Sequence, residues 1–489
     1  MRIAIIGGGI AGLAAAYELE RARGSDPSIT YTLFESRDQL GGVLSSETWK
    51  GSVLERGPDS FLTEKPAAAE LCRELGLGAD LMPSNDGARK TYIVIRNRLV
   101  PLPDGLMFLV PTKLVPTALS GLFSLSTKFR MGLELLRPPR ASGEDESVAA
   151  LVERHFGAEA VDRLADPLLS GIYGGEASQL SARSVLPRLV EMENQYGSLT
   201  RGMLAAHKKM RAAMAARGID ASQVGKTNGS GNPARAIFTT LRGGLQQLVD
   251  ALVARLNPLS VRLGAPVAAL EKLPEGWKVS FAGTAENYDA VIVASPAWAA
   301  GTLLSTVDAQ LSNDLENIPY SSSITVNLVY DEAKIGALPE GFGFLVPPKE
   351  GRGLLACTFA HRKFPGRTAP GKAVLRAFLG GVRNEALLQE RDATLVLIVR
   401  RELAAILGHR VVGPHIEPEH TQVNRWPRAM AQYAVGHQAR IKRIEERVTH
   451  YQGLRLAGNA YDGIGISDCI RLGRQAAQEL VRAQVPVSR

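Results

Sequence analysis

The chain has 489 residues, of which 45% are hydrophobic and 22% are charged, and its formal net charge is +8. This composition is typical of a globular protein with two or three domains, and no apolar run reaches the roughly 18 residues that a membrane-spanning helix requires. Three glycines interrupt the apolar start of the chain, which argues against a secretory signal.

The cysteines and the basic residues indicate the compartment and the class of partner. Cys72, Cys357 and Cys469 are far apart and are not paired with histidines, so we expect a cytoplasmic protein without disulfides or a metal site. The positive charge favours acidic small molecules or anionic lipid headgroups. We expect no nucleic-acid partner, because no nucleic-acid-binding motif accompanies the charge.

The first 35 residues predict a dinucleotide-binding turn. An apolar strand at 3–6 leads into a glycine turn at 7–12 with the spacing G-x-G-x-x-G, and an Ala-rich helix follows. The start of such a helix offers unpaired N–H groups and a partial positive charge to phosphates. A second strand ends at Glu35, where a carboxylate binds ribose hydroxyls. The alternative is a structural turn that binds no nucleotide.

A second glycine doublet, Gly41-Gly42, favours a flavin as the dinucleotide. Such a doublet brings the backbone close to the cofactor again, whereas a nicotinamide dehydrogenase would continue into further βα units. The turn Gly57-Pro58-Asp59-Ser60 fits no regular element. It either lines the cofactor or is a plain loop.

The middle of the chain predicts helices. Residues 105–136 are apolar with basic residues between them, which predicts either an amphipathic surface on a membrane or a buried helical subdomain over a pocket. Helical patterning continues over 147–204, and the polar, glycine-rich segment 218–231 is typical of a mobile linker.

The second half predicts a return to the nucleotide domain and then a mixed segment. A wholly apolar strand at 290–294 is typical of a central parallel position. Four strand candidates between 323 and 379 predict an antiparallel sheet that could form a substrate floor. The chain then ends in strand, glycine loop and helix, where Ile464 to Ile466 would direct N–H groups at a flavin ring.

Several motifs, taken in order, resemble those of the protoporphyrinogen oxidase family. They are Gly7 to Gly12, Leu40-Gly41-Gly42, Gly57 to Phe61, Leu169 to Gly175, Gly341 to Val346 and Ala457 to Gly473. The stretches Gly57 to Leu62 and Pro167 to Gly175 look most like those of the bacterial coproporphyrinogen III oxidases.

This resemblance implies an α/β fold of the amine-oxidase-like flavoprotein type. It combines an FAD-binding Rossmann-like domain, a mixed-sheet substrate domain and an inserted helical domain that rests on membranes in some members. The implied bounds are 1–88, 234–300 and 431–489 for the FAD-binding domain, 89–215 for the helical, membrane-facing and substrate part, 216–233 for a flexible linker and 301–430 for the substrate-binding domain.

The resemblance also implies FAD as the cofactor and assigns residues to the site. The FAD contacts are carried over to Gly7, Gly8, Gly9, Ile10, Ala11, Gly12, Glu35, Ser36, Gly41, Gly42, Val43, Gly57, Pro58, Asp59, Ser60, Val267, Gly458, Ile464, Gly465 and Ile466. Lys65 is implied to pair with a substrate propionate, and Leu345 and Phe364 are implied to clamp the macrocycle. Mitochondrial and plastid relatives have an arginine for a propionate where this chain has Thr91.

The reaction implied is the six-electron oxidation of a porphyrinogen in haem biosynthesis, with dioxygen as acceptor and hydrogen peroxide as by-product. The substrate is coproporphyrinogen III, protoporphyrinogen IX or both. No catalytic dyad is expected, because the cofactor carries the chemistry. The alternatives are an FAD-dependent amine oxidase or carotenoid-type desaturase and, in another class, a non-catalytic flavin-binding or membrane-surface protein. The expected location is the cytoplasm, either free or in peripheral contact with the cytoplasmic membrane.

Overall fold

A computed structural model describes residues 1–107, 109–111, 113–140, 143–216 and 236–483. Of the predicted linker 216–233, only residue 216 lies inside these ranges. Residues 108 and 112 of the predicted amphipathic segment also lie outside them.

Helices and strands occur in runs along the chain, the longest of which are the consecutive helices from residue 114 to residue 216. They are α1 (Ile10–Ser25), α2 (Ala67–Glu74), α3 (Leu114–Leu119), α4 (Leu125–Leu133), α5 (Val148–Phe156), α6 (Ala158–Ala160), α7 (Asp166–Tyr173), α8 (Ala182–Val185), α9 (Pro187–Tyr196), α10 (Leu199–Ala216), α11 (Gln246–Val253), α12 (Ala297–Leu304), α13 (Ala309–Glu316), α14 (Ala360–Lys363), α15 (Asp392–Leu407), α16 (His409–Val412), α17 (His437–Val448) and α18 (Ile466–Arg482).

The strands form two large sheets and several small ones. They are β1 (Arg2–Ile6), β2 (Thr30–Phe34), β3 (Ser46–Trp49), β4 (Ser52–Glu55), β5 (Phe61–Leu62), β6 (Leu81–Pro83), β7 (Thr91–Ile95), β8 (Arg98–Pro101), β9 (Leu106–Met107), β10 (Val110–Pro111), β11 (Phe238–Leu241), β12 (Val261–Arg262), β13 (Val267–Lys272), β14 (Trp277–Phe281), β15 (Thr284–Tyr288), β16 (Ala290–Val293), β17 (Tyr320–Asp331), β18 (Gly343–Leu345), β19 (Leu354–Phe359), β20 (Lys372–Gly380), β21 (His420–Ala431) and β22 (Leu454–Leu456).

Five parallel strands form the first large sheet, in the order β12-β2-β1-β16-β22. The register places Ile3 beside Ala290 on one side and beside Tyr31 on the other. Every residue of β16 is buried, because the strand lies between two neighbours and the sheet has a hydrophobic cluster on each face. The predicted return of the chain to this domain is therefore confirmed.

Helices α1 and α18 pack together on one face of the parallel sheet, so that the start and the end of the chain lie side by side. Their close approach requires a glycine, since a Cβ at Gly473 would lie 2.0 Å from the main-chain oxygen of Ala11. Ile466 and Ile470 of α18 share a hydrophobic cluster with Leu13 of α1.

The second large sheet has seven strands in the order β21-β17-β20-β19-β18-β7-β8. Its neighbours are antiparallel except β18 and β7, which run parallel, so the sheet is mixed. The four predicted strands form its centre. We did not predict β21, which contains Pro427; a proline is tolerated there because β21 is an edge strand.

The helices from α5 to α10 form a separate core that packs against β7 and β18. The predicted helical segment at 147–204 is therefore confirmed. Of the earlier segment, Leu122, Phe123 and Met131 join this core. Part of the segment 105–136 is thus buried, whereas other apolar side chains of the segment point outward, and contact with a membrane stays a prediction.

The outward side chains of α3, α4 and the turn that follows form a surface that we call the apolar ridge. It consists of Val115, Leu119, Leu125, Phe129, Leu133 and Leu136. Leu119 is 81% exposed and Leu125 is 82% exposed, and the basic side chains of Lys113 and Arg130 lie exposed nearby in sequence. Among the described residues, none of the helices is both long and apolar enough to span a membrane.

Candidate active site

The first glycine turn joins β1 to α1 at the carboxyl edge of the parallel sheet. Gly7 has a φ of +110°, which favours glycine, and a Cβ at Gly12 would lie 1.9 Å from the carbonyl oxygen of Gly7. No atom lies within 4 Å of the position where a Cβ of Gly9 would stand. Gly9 is the N-cap of α1 and contributes no side-chain cap, so no capping side chain occupies the first N–H groups of the helix.

Glu35 follows β2 at the same edge and is held firmly. One carboxylate oxygen accepts a hydrogen bond from the N–H of Gly8 at 2.7 Å. The other accepts from the N–H of Arg37 at 2.9 Å and from the hydroxyl of Ser36 at 3.1 Å. The predicted ribose-binding acid is therefore buried against the turn, with its neighbour Ser36 attached to it.

The second glycine doublet connects the first turn with the turn at Gly57. The N–H of Gly41 donates to the oxygen of Gly8 at 2.9 Å, and a Cβ at Gly42 would lie 3.1 Å from the Cα of Gly9. A Cβ at Gly57 would lie 1.8 Å from the carbonyl oxygen of Val43. Three predicted glycine segments therefore touch one another in sequence order.

The turn 57–60 rests on the mixed sheet. The carbonyl oxygen of Arg56 accepts hydrogen bonds from the hydroxyl of Thr325 at 2.7 Å and from the indole of Trp426 at 2.8 Å. Lys363 binds both carboxylate oxygens of Asp59, at 2.9 and 3.0 Å. Burial opposes the charge of Asp59, but Lys363 and Arg376 outweigh it and hold the pKa of this carboxyl well below its usual value.

The C-terminal glycine loop reaches the same place from the other end of the chain. Gly458 has a φ of +139°, and Gly465 caps α18 without a side chain of its own. The ammonium of Lys65 lies 2.6 Å from a carboxylate oxygen of Asp468, and the hydroxyl of Ser467 donates to the oxygen of Lys65 at 3.0 Å. Lys65, 41% exposed, thus has a partner within the chain in addition to any substrate group.

The last segment of α7 approaches the start of α18. The carbonyl oxygen of Tyr173 accepts from the hydroxyl of Ser321 at 2.8 Å, and burial together with the charge of Asp468 raises the pKa of the Tyr173 phenol to about 12. We did not predict Tyr173 as a site residue, although it lies within the motif Leu169 to Gly175. We also did not predict Asp468 as a site residue, and its partner Lys65 is 403 positions away in the sequence.

Two buried hydroxyls near these turns have no hydrogen-bond partner within the described part of the chain. They belong to Ser295, which follows β16, and to Tyr461, which lies between Gly458 and Gly465. A buried unpaired hydroxyl is costly unless a ligand or water satisfies it. The open space at Gly9, the start of α1 without a side-chain cap and these hydroxyls therefore fit a polar ligand such as a dinucleotide.

The remaining predicted residues are more dispersed. Val267 pairs with Phe281 and packs on the hydrophobic cluster that includes Phe34, the residue before Glu35. Leu345 packs on the helical core and lies near Gly171, where a Cβ would be 3.0 Å away. Phe364 is buried under the turn 57–60 and lines a small cavity there.

A larger cavity of about 480 Å³ lies at one end of the mixed sheet, beside α7 and α15. Gly174, Gly175 and Val346 line it, whereas Lys65, Leu345 and Phe364 do not. The structure thus gathers the predicted cofactor residues but does not bring the three predicted substrate residues into one of these two cavities. The described ranges also hold no group of three or more potential metal ligands.

Comparison with known proteins places this arrangement in a family. The family described as flavin containing amine oxidoreductase matches residues 10–481. Coproporphyrinogen III oxidase from Bacillus subtilis (strain 168) is 33% identical over 480 residues, which cover 98% of this chain and 97% of that protein. Human protoporphyrinogen oxidase is 32% identical over 501 residues and covers 97% of both chains.

A solved structure of a protein from Exiguobacterium sp. 255-15 has the same fold, with a TM-score of 0.84 and 31% identity over 99% of both chains. The amine-oxidase-like α/β fold and the flavin that were expected from the motifs are thus supported by sequence, structure and family. This chain belongs to the flavin containing amine oxidoreductases and, among them, to the family that comprises the coproporphyrinogen III oxidases and protoporphyrinogen oxidases.

Proposed function

We propose that this protein is an FAD-dependent porphyrinogen oxidase of haem biosynthesis. It oxidises coproporphyrinogen III to coproporphyrin III, and protoporphyrinogen IX is its alternative substrate. One observation carries the proposal: the turns at 7–12 and 57–60 and the start of α18 meet at the edge of one parallel sheet, in a chain that matches relatives of this name over nearly its full length.

The residues around that edge would hold FAD. The open N-terminus of α1 and the Gly7–Gly12 turn suit the pyrophosphate, because main-chain N–H groups there lack partners within the helix. Glu35 suits a ribose hydroxyl, with Ser36 beside it and Val267 on the adenine side. The residues 57–60 and 464–466 would face the flavin ring. In this proposal, the segments 1–88, 234–300 and 431–489 form the FAD-binding domain.

When bound, FAD supplies the acceptance of hydride from the substrate and the transfer of electrons to dioxygen. Each round removes two electrons and two protons from the porphyrinogen and reduces one dioxygen to hydrogen peroxide, so three rounds complete the conversion. The chain's own part is to orient a bridging carbon of the substrate and to exclude water. The carboxylates near the ring are paired with cations, as Asp59 is with Lys363, and we assign no general base.

The substrate explains the mixture of apolar and basic residues. A porphyrinogen is a flexible apolar ring with acidic side chains, so its site requires apolar walls and a few cations at the rim. Leu345 and Phe364 would contribute walls, and Lys65 would contribute a rim cation. Lys65 is suited to this role because its side chain is partly exposed although it is anchored by Asp468.

We also propose that the protein works in the cytoplasm and contacts the membrane through the apolar ridge. Its three cysteines are free and buried, as suits a reducing compartment. The ridge exposes large apolar side chains next to basic ones, a combination that favours the interface of an anionic bilayer.

The test begins with the purified protein. We expect a yellow protein whose extracted cofactor is FAD, and a rise of porphyrin fluorescence with coproporphyrinogen III that requires both enzyme and dioxygen. Three molecules of hydrogen peroxide should form for each coproporphyrin. Relative rates with protoporphyrinogen IX define the preferred substrate. A flavin that is bleached by a simple amine and not by either porphyrinogen would replace the proposal with an amine oxidase.

A further inference from the structure

A buried cluster of charges lies directly beneath the turn 57–60. Its carboxylates are Glu55 and Asp59, and its cations are Lys363, Arg367 and Arg376. All five side chains are at least four-fifths buried. Two carboxylates against three cations leave the cluster with one surplus positive charge.

Four members of the cluster are matched in pairs. Lys363 binds Asp59, and Arg367 binds the carboxylate of Glu55 and the hydroxyl of Thr240. Glu55 also accepts from the N–H of Leu245 at 2.9 Å. These contacts neutralise both carboxylates.

Arg376 is the unmatched member. It is 2% exposed, and no carboxylate of the described residues lies within ion-pairing distance of its guanidinium. It donates instead to the carbonyl oxygen of Glu55 at 2.9 Å and to that of Gly57, while its Nε has no partner in the same part of the chain. Burial lowers the pKa of this group, and the two nearby carboxylates oppose that effect.

A buried cation without a carboxylate is costly, and it would not be expected on grounds of stability alone. Its charge is directed at the backbone of the turn that, in the proposed function, faces the flavin ring. A flavin gains negative charge when it is reduced, so a fixed positive charge behind the turn favours the reduced state.

We infer that Arg376 is a positioning residue with two effects. It holds the backbone of Glu55 and Gly57, where β4 enters the turn 57–60, and through its uncompensated charge it raises the reduction potential of the bound flavin. This inference rests on the proposed function, because it requires a flavin at the turn. It assigns to the cluster a role that is separate from substrate binding.

The test is the midpoint potential of the flavin in purified holoenzyme, measured without substrate. Arg376→Gln should lower it by an amount equal to about a tenfold change in the ratio of reduced to oxidised flavin, or about 30 mV for a two-electron couple. Arg376→Lys should stay near the wild-type value, because the charge remains although the paired contacts are lost. Asp59→Asn should raise the potential, because it adds to the surplus charge.

Arg400→Gln is the matched control. Arg400 lies on α15, which covers the opposite face of the same sheet, and it binds the main-chain carbonyls of Pro414 and Ile416 and, unlike Arg376, a carboxylate, that of Glu417. Its variant should keep the wild-type potential.

Equal shifts in the Gln and Lys variants of Arg376, or no shift in Arg376→Gln, would overturn the inference. If Arg376→Gln does not fold, an unchanged potential in Asp59→Asn overturns it equally. A wild-type protein without flavin would instead refute the proposed function, so the two failures are distinguishable.

Discussion

The two halves of the site are built by different means. Around the parallel sheet, the predicted cofactor residues make close backbone contacts: glycines at 7, 12 and 57 allow approaches that any Cβ would block. Around the mixed sheet, the contacts depend on side chains from distant segments, such as Lys363 with Asp59 and Arg367 with Glu55. Substitutions in the first half should therefore act through steric conflict, whereas substitutions in the second half should act through the loss of a charge or of an apolar contact.

The largest effect should come from Gly12→Ala in the glycine-built half. A Cβ there would meet the oxygen of Gly7 at 1.9 Å, so the turn must shift. We expect the flavin to be lost on purification and the protein to be destabilised by roughly 1–3 kcal/mol, as for other overpacked sites. Flavin absorbance per protein and thermal unfolding measure the two effects.

Gly24→Ala, in the same helix, is the matched control. No atom lies within 4 Å of its Cβ position, so alanine should keep full flavin content and stabilise the helix by up to about 1 kcal/mol. Equal loss of flavin in both variants would show that close backbone contact is not what distinguishes this half.

The next largest effect is expected on the pH dependence of stability in the helical region, where a buried histidine lies between two carboxylates. The nitrogens of His155 lie 3.0 Å from Glu134 and from Glu193, and Arg154 also binds Glu193. Burial lowers the pKa of His155, but the two carboxylates outweigh it and raise the pKa above 6.5. Burial likewise opposes ionisation of both carboxyls, but their partners lower the pKa of each below 4.5.

The stability that comes from His155 is therefore complete below about pH 6.5 and is lost as the pH rises through the folded-state pKa. The carboxylates contribute above about pH 4.5 and lose their contribution as the pH falls. We expect the unfolding temperature to decline as the pH rises from 6.5 through the folded-state pKa of His155, and His155→Gln to start lower and decline less.

His437→Gln controls for the loss of a buried histidine. Burial lowers the pKa of His437 to about 4, so this side chain stays neutral throughout that pH range. In His437→Gln, the unfolding temperature should therefore decline with pH as steeply as in the wild type. If the unfolding temperature fell equally steeply with pH in His155→Gln and in the wild type, ionisation of His155 would not be the cause of the decline.

A smaller, selective effect should come from Lys65→Ala. Coproporphyrinogen has more propionates than protoporphyrinogen, so loss of a rim cation should raise KM for the former by about three- to tenfold and for the latter less. Asp468→Asn is the companion variant, because it releases Lys65 but keeps its charge. Equal losses with both substrates in both variants would mean that Lys65 only anchors the loop.

The glycine-built half could be predicted from the sequence because its signals are local. Spacing within 7–12 and the position of Glu35 determine contacts among residues that are close in the chain. The second half could not be predicted in the same way. Arg376 lies within the apolar run 373–379, and the carbonyl oxygen to which it donates belongs to Glu55, 321 positions away, so only the folded sheet reveals this contact.

The cavities illustrate the same limit. Leu345 and Phe364 were assigned by motif, but which space a side chain lines depends on how sheet and helices pack. Leu345 faces the helical core, whereas Phe364 lies under the turn 57–60. Their role as walls of one substrate site stays a prediction, as do the domain bounds.

The smallest effect on the isolated enzyme should come from the apolar ridge, which belongs to neither half of the site. The double variant Phe129→Glu and Leu125→Glu should keep the wild-type turnover. Its free energy of unfolding should stay within about 0.5 kcal/mol of the wild-type value, because both side chains are exposed. Cosedimentation with vesicles of phosphatidylglycerol and phosphatidylcholine should fall severalfold. Leu259→Glu, at a leucine of the parallel-sheet half that is 91% exposed, should not change the fraction bound to vesicles. Vesicle binding that survives in the ridge variant would assign any membrane contact to another surface.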